Sequence, residues 1–259
     1  MQRYTFIMSF EKRPAPRIPE KNELPLNING HEHIAESGES SVYRTDVQDS
    51  KEQGRIIALK QNRREAFASD EEMHKSKEFY DFLKAFPGFG KFVPETLYFK
   101  ARMTSDSAPQ AFAIQHFLTG RTIDQIPDDE LYKDPVVVKQ LMEFAHEAIA
   151  ILQQTREEKS LKPDFGTAGT ADANAQRYGN TFGNSRYTTN ILISDFPDEN
   201  GQRVFFVDTG VNADERVDKK RQFLERQVMG RMREFNFNRW IKELEKALDS
   251  QKSQYLKDV

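Results

Sequence analysis

The sequence predicts an α+β fold, in which a strand-rich first half precedes a mainly helical second half. In the first half, four runs of apolar residues with strand character surround one amphipathic helix, in the order β-β-α-β-β. From Pro135 onwards, apolar residues recur at three- and four-residue intervals, which is typical of helices that bury one face. A hairpin signature that begins near Asn190 interrupts this helical half.

Composition excludes several classes of protein. The chain has 259 residues, enough for one large domain or two lobes. Its net charge of −3 provides no basic field, so neither a nucleic-acid nor a membrane partner is expected. It lacks cysteine, which excludes disulfides, thiolate metal sites and Cys nucleophiles and fits a cytoplasmic location. No apolar run approaches the roughly 18 residues that a membrane span needs.

The strand-rich half begins after an N-terminal arm. Residues 1–30 are predicted to be extended or disordered, because residues 11–30 hold four prolines and many charges. Two strand-like runs follow, IAESGESSVYRTDV, which contains a Gly/Ser-rich turn, and GRIIALKQ. A helix is predicted from about Ser69 to Ala85, ended by the sequence PGFG. The runs FVPETLYFKARM and QAFAIQHFL are predicted to be two further strands.

The second half contains three predicted helices. The first spans Pro135 to about Gln154, and two more close the chain, at about Val217–Phe235 and Phe237–Leu248. Residues 165–187 are rich in Gly, Ala, Thr and Asn and have few large apolar side chains. This segment is therefore predicted to be a loop.

The stretch TTNILISDFPDENGQRVFFVDTG carries two polar residues at one end of the predicted hairpin. Asn190 comes just before its first strand and Asp208 just after its second, so antiparallel pairing would bring them together. An amide oxygen and a carboxylate are hard ligands that suit Mg²⁺ when phosphate supplies the remaining ligands. The alternative is ordinary turn chemistry, since Asn and Asp cap strands and turns frequently.

Two features of the first half are suited to binding phosphate. Lys60 ends an apolar strand, from which its ammonium group can reach phosphate oxygens. The turn from Ser37 to Ser41 includes Gly38 and Ser40 and offers backbone N–H groups and hydroxyls as anion ligands. A solvated lysine at a strand end is the alternative for Lys60 taken alone.

The order of these features along the chain resembles the protein-kinase-like superfamily, and most closely its aminoglycoside and choline phosphotransferase branch. The resemblance covers about Ile34 to Gly210. It implies a bilobal fold, with a β-rich N-lobe carrying one helix and a mostly helical C-lobe carrying the hairpin. The implied divisions are an N-lobe at 31–115, a hinge at 116–120 and a C-lobe at 121–259, with an insertion at 165–187 and the hairpin at 190–208.

The resemblance also implies how a nucleotide would be held in the N-lobe. The sequence IIALK resembles the family's V-A-I-K strand, so Lys60 would bind the α- and β-phosphates. The sequence SGESSVY resembles a glycine-rich loop with one glycine instead of three, which assigns Ser37, Gly38 and Ser40 to nucleotide binding. Glu78, or as second choice Glu72, would pair with Lys60.

The hinge and the metal site follow from the same resemblance. The sequence AIQHFLTGRTID is similar to the hinge, so Gln115 would be the gatekeeper and the backbones of His116 and Leu118 would hydrogen-bond adenine. Asn190 matches the catalytic-loop Asn and Asp208 matches the Asp of D-F-G, so both would bind Mg²⁺.

The chain departs from the family at the catalytic base, where two readings stay open. The family places an Asp five residues before the metal-binding Asn, but Ser185 stands there. In one reading the protein is a pseudokinase that binds nucleotide or a partner protein without catalysis. In the other, which we favour, Asp164 in KPDF is the base and the insertion separates it from Asn190.

The resemblance therefore implies an ATP- and Mg²⁺-dependent phosphotransferase acting on a hydroxyl. About fifty residues follow Asp208, and they contain no A-P-E motif. A protein kinase that docks peptides needs a long activation segment with this motif. A small molecule or an unusual substrate is therefore the expected acceptor.

Overall fold

The computed structural model of the chain describes residues 20–21, 32–36, 40–46, 56–62, 70–101, 110–158, 190–207 and 230–255. Within them, helices and strands are mixed and the strands form two small sheets, as expected for the α+β class.

The first sheet contains six strands in the order β1-β5-β6-β4-β3-β2. All neighbours are antiparallel except β1, which runs parallel to β5. The strands are β1 (Glu20–Lys21), β2 (Glu32–Glu36), β3 (Ser40–Asp46), β4 (Ile56–Asn62), β5 (Thr96–Ala101) and β6 (Gln110–His116).

Two features of this sheet differ from the predicted element order. The first strand-like run forms two strands, β2 and β3, which pair antiparallel with Glu36 opposite Ser41. They lie on either side of the Gly/Ser-rich residues 37–39, where the apolar pattern is interrupted. In addition, two residues of the N-terminal arm form β1 and cover part of the outer edge of β5.

The second sheet has three strands in the order β7-β8-β9: β7 (Gly120–Thr122), β8 (Ile191–Ser194) and β9 (Val204–Phe206). Strands β8 and β9 pair antiparallel, with Ile191 opposite Phe206, which confirms the predicted hairpin. In its turn, the Asp198 carboxylate accepts the backbone N–H groups of Asn200 and Gln202, both at 2.8 Å. Gly201 has a φ of 77°, which favours glycine there.

Four α-helices lie in the described part of the chain: α1 (Asp70–Ala85), α2 (Asp128–Leu131), α3 (Pro135–Glu158) and α4 (Gly230–Tyr255). The predicted helix of the first half matches α1 closely, and α1 ends at the PGFG sequence, where Gly88 has a φ of 82°. Helix α3 extends one turn beyond the predicted end at Gln154.

The predicted break between the last two helices is wrong, because α4 continues through it. Asn236 is buried there, and the Asn238 side-chain amide donates to the backbone carbonyl of Glu234 at 2.8 Å, within the helix. Burial of Phe237 and Trp240 on the same helix outweighs the low helix propensity of asparagine. Residues 217–229 of the predicted penultimate helix lie outside the described residues.

The largest buried cluster joins α3 and α4 to the turn after α1 and to the hairpin. Phe144 of α3 lies at its centre and is fully buried. Four other rings surround it, with centroid distances of 5.2, 5.3, 6.1 and 6.4 Å to Phe89, Phe92, Phe206 and Phe237. The core therefore fixes the hairpin against the helices through Phe206.

Polar side chains of α3 also attach the hairpin. The Gln140 amide nitrogen donates to the carbonyl of Gly201 at 2.8 Å, and its oxygen accepts the backbone N–H groups of Arg203 and Val204 at 2.8 and 3.2 Å. The Arg203 guanidinium donates to Asp134 and to the carbonyl of Ser194. These bonds hold the turn end of the hairpin on the N-terminal part of α3.

Replacing Gln140 with alanine should lower the free energy of unfolding by about 1–3 kcal/mol, because it leaves two partly buried backbone N–H groups without their acceptor. Urea unfolding measures the change. Gln153→Ala is the matched control: that side chain is exposed on the same helix, and its bond to Glu234 is 3.5 Å long. Equal effects of the two substitutions would contradict the role of Gln140 in holding the hairpin on α3.

Candidate functional site

The structure describes the backbone of Lys60 but not its side chain. Lys60 lies in β4, where Val42 of β3 and Ala113 of β6 are its two neighbours across the sheet. Ser40 is the first residue of β3 and pairs with Asn62. Ala113, the partner of Lys60 on β6, lies three residues before His116, where β6 ends.

Several predicted site residues lie outside the described residues: Ser37, Gly38, Asp164, Ser185 and Asp208. Their assignments, including the choice between the two readings of the catalytic base, stay predictions.

Glu78 is exposed on α1, next to Phe79, which is fully buried. The side chains of Lys60 and Glu72 are not described. The pairing of Lys60 with Glu78 or Glu72 thus stays a prediction.

The predicted hinge corresponds to the segment that joins the two sheets, which we call the linker, residues 117–119. It follows His116, which is exposed, and includes the half-buried Leu118. Its last residue, Thr119, accepts hydrogen bonds through its carbonyl from the backbone N–H of Asp195 at 2.9 Å and the Ser194 hydroxyl at 3.1 Å. The linker is thereby fixed to the hairpin.

Gly120 allows this close approach of the chain segments. A Cβ atom at this position would lie 2.1 Å from the backbone oxygen of Ile193, on the paired strand β8. Any other residue would force β7 away from β8, so a glycine is required immediately after the linker.

Gln115 is oriented by a hydrogen-bond network that the sequence did not predict. Its amide nitrogen donates to the Thr96 hydroxyl at 2.9 Å, and the backbone N–H of Thr96 donates to the Tyr80 hydroxyl at 3.1 Å. The Tyr80 hydroxyl in turn donates to Glu95 at 3.3 Å, and Glu95 pairs with Lys84 at 2.7 Å. The network thus connects α1 to the strand that leads into the linker.

Two members of this network have shifted pKa values. Burial raises the pKa of the Tyr80 hydroxyl, and the neighbouring Glu95 carboxylate adds to that shift. The hydrogen bond from Lys84 lowers the pKa of Glu95. At neutral pH the Tyr80 hydroxyl therefore stays protonated and donates a hydrogen bond to the ionised Glu95 carboxylate.

A cavity of about 1070 Å³ lies beside the linker, and His116 and Leu118 are among its lining residues. Its other walls come from the turn after α1, the N-terminal part of α3 and the hairpin turn. Lys91 pairs there with Glu143 at 2.5 Å, so that part of the wall is internally neutralised. Asn190 does not line this cavity, which is therefore separate from the predicted metal ligand.

The described part of the hairpin ends beside the two predicted magnesium ligands. Asn190 is half-buried, and its backbone carbonyl accepts the N–H of Val207 at 3.0 Å. Val207 directly precedes Asp208, so the pairing of β8 and β9 continues to the residue before the second predicted ligand. Asp208 itself lies outside the described residues, so the assignment of Asn190 and Asp208 to Mg²⁺ stays a prediction.

Within the described ranges there is no group of three or more His, Cys, Asp or Glu residues that could hold a metal ion. In the same part of the chain, no helix has both the length and the apolar character to cross a membrane.

Among solved structures, the chain is similar to aminoglycoside phosphotransferases. It shares 14% identity with the crystal structure of aminoglycoside phosphotransferase APH(4)-Ia, at a TM-score of 0.37, over 86% of this chain and 88% of that one. It shares 14% identity with APH(2'')-IIia in complex with GDP and kanamycin, at a TM-score of 0.31, over 88% and 95% of the two chains. No family model and no curated protein matches the chain.

Proposed function

We propose that the protein is an ATP- and Mg²⁺-dependent phosphotransferase that transfers the γ-phosphate to a hydroxyl group of a small molecule. One observation carries the proposal: in each sheet, a predicted phosphate or metal ligand lies a short, similar distance from the linker. In the first sheet, Lys60 pairs with Ala113, three residues before His116. In the second, Asn190 lies four residues before Ser194, whose hydroxyl donates to the linker.

These spacings fit the length of a nucleotide. Four residues of extended chain span about 13 Å and three span about 10 Å. An adenine held by the backbones of His116 and of Leu118 in the linker would place its phosphates toward Lys60 and Asn190. The proposed site is thus a base-binding linker with phosphate ligands on both sheets.

Phosphoryl transfer requires mainly that the reactants are positioned and that the charge of the phosphates is neutralised. Lys60 and the N–H and hydroxyl groups of Ser37, Gly38 and Ser40 would bind the phosphates. Asn190 and Asp208 would hold Mg²⁺, which supplies positive charge to the phosphate oxygens when bound.

The proton of the acceptor hydroxyl also needs a base. Asp164 would orient this hydroxyl and take its proton as the oxygen attacks the γ-phosphorus and the bond to the β-phosphate oxygen breaks.

One observation favours a second candidate function, a pseudokinase. Ser185 stands where the base of the resembled family lies, and a serine does not take up a proton at neutral pH. In that case the same site would bind nucleotide without transferring phosphate.

Thermal unfolding tests the nucleotide site that both functions share. Mg·ATP in large excess over its dissociation constant should raise the unfolding temperature of the wild type, because it binds only the folded chain. Lys60→Ala should remove most of that shift without lowering the unfolding temperature of the free protein. A wild type that Mg·ATP does not stabilise would count against both functions.

A further inference from the structure

The guanidinium group of Arg44 lies over the ring of Phe117, which belongs to the linker, with 5.5 Å between the guanidinium carbon and the ring centroid. Arg44 is on β3 and Phe117 follows β6, and β4 lies between these two strands. The contact therefore spans β4, next to the position where Ala58 is the direct partner of Arg44. The small Ala58 side chain leaves space for it.

The register of the sheet places Arg44 on the face where the nucleotide is proposed to bind. Arg44, Ala58, Gln115 and Thr96 are successive partners on β3, β4, β6 and β5, so they form one row on one face. The Lys60 position is two residues further along β4, and positions two apart on a strand share a face. Arg44 thus lies at the linker end of the face that carries the Lys60 position.

Existing contacts hold Arg44 only weakly. Its carboxylate partner is Glu32, the residue opposite it on β2, at 3.6 Å. Both side chains are largely in solvent, with 43% and 66% of their surface exposed. Solvent screens such a pair strongly, so a ligand can compete for the guanidinium at little cost.

A guanidinium group is planar and always charged, and it stacks on aromatic faces, as it does here on Phe117. A purine held by the linker backbone would offer it a second, larger aromatic face. Arg44 and Phe117 meet over β4, the strand between β3 and β6. A purine held at the linker would therefore lie directly beneath or beside the guanidinium.

We propose that Arg44 is a nucleotide-binding residue that stacks on the purine base held at the linker. This inference rests on the proposed nucleotide site and adds a residue to it. Arg44 contacts the base in this proposal, not the phosphates, since the Lys60 position lies two residues further from the linker than the row that contains Arg44.

Calorimetric titration of Arg44→Ala with Mg·ATP tests the inference. We expect the dissociation constant to rise about five- to tenfold, as for the loss of one partly desolvated cation–π contact. The dissociation constant of Mg·tripolyphosphate, which has no base, should stay unchanged in the same titration. Arg44→Lys should also bind ATP more weakly, because an ammonium group keeps the charge but lacks the planar face.

Arg239→Ala is the matched control. Arg239 also faces an acidic partner, Glu243, at 3.6 Å and is 43% exposed, but it lies on α4. The inference is overturned if Arg44→Ala binds ATP as the wild type does, if it loses tripolyphosphate to the same degree, or if Arg44→Lys restores binding fully. A wild type that binds no ATP would instead overturn the nucleotide site itself, and this inference with it.

Discussion

Replacing Phe144 with alanine should destabilise the protein by about 3–5 kcal/mol, measured by chemical unfolding. The ring is fully buried and lies among four other phenylalanine rings. Its removal loses the transfer free energy of the ring and leaves a cavity that the neighbouring rings, from one helix, a turn and a strand, cannot fill together. Because Phe206 of β9 contacts this ring, the substitution should loosen the hairpin as well.

Phe235→Ala is the control for this prediction. Phe235 lies on α4, two residues before the buried Phe237, but is 63% exposed. Its substitution should change the free energy of unfolding by no more than about 0.5 kcal/mol. If the two alanine variants were equally stable, Phe144 would not be the centre of the core.

Replacing Asp164 with asparagine should lower the rate of phosphate transfer or ATP turnover by a factor of about 10²–10⁴, the usual contribution of a general base. Asparagine keeps the size of the side chain but cannot take the acceptor's proton. Binding of Mg·ATP should persist, because Asp164 is proposed to contact the acceptor hydroxyl and not the nucleotide. ADP formation, measured with aminoglycosides and choline as acceptors, gives the rate, because each transfer of the γ-phosphate leaves one ADP.

Ser185→Ala is the control for this substitution, and its rate should equal that of the wild type. An unchanged rate in Asp164→Asn would exclude Asp164 as the base. A wild type that binds Mg·ATP but turns over with none of these acceptors would favour the pseudokinase.

The elements with regular apolar periods could be predicted from the sequence. The helix predicted over Ser69–Ala85 is found as Asp70–Ala85, because its apolar residues recur at helical spacing and PGFG ends it. The hairpin was predictable because its turn residues stand between two short apolar runs. The continuous helix α4 was not, because burial of Phe237 overrides local propensity at the two asparagines, which only tertiary packing reveals.

The candidate site was predictable only where residues lie in a recognisable local pattern. The position of Asn190 next to the first strand of the hairpin followed from one stretch of sequence, while its role as a metal ligand stays a prediction. The stacking of Arg44 on Phe117 depends on the strand order, since these residues come from strands that are not neighbours. The orientation of Gln115 likewise depends on Thr96, a partner set by sheet register. Such contacts leave no periodic signal in a single sequence.

The central claim is that the protein binds ATP together with Mg²⁺, and that Asn190 and Asp208 hold the metal ion. Titration of the protein with ATP, once with Mg²⁺ present and once with Mg²⁺ chelated, tests this claim most directly. We predict that the wild type binds ATP more tightly with Mg²⁺, and that Asn190→Ala and Asp208→Ala each remove that difference. The reason is that each substitution removes one of the two proposed metal ligands. A wild type that binds ATP equally well in both conditions, or that binds no ATP, would contradict the proposal.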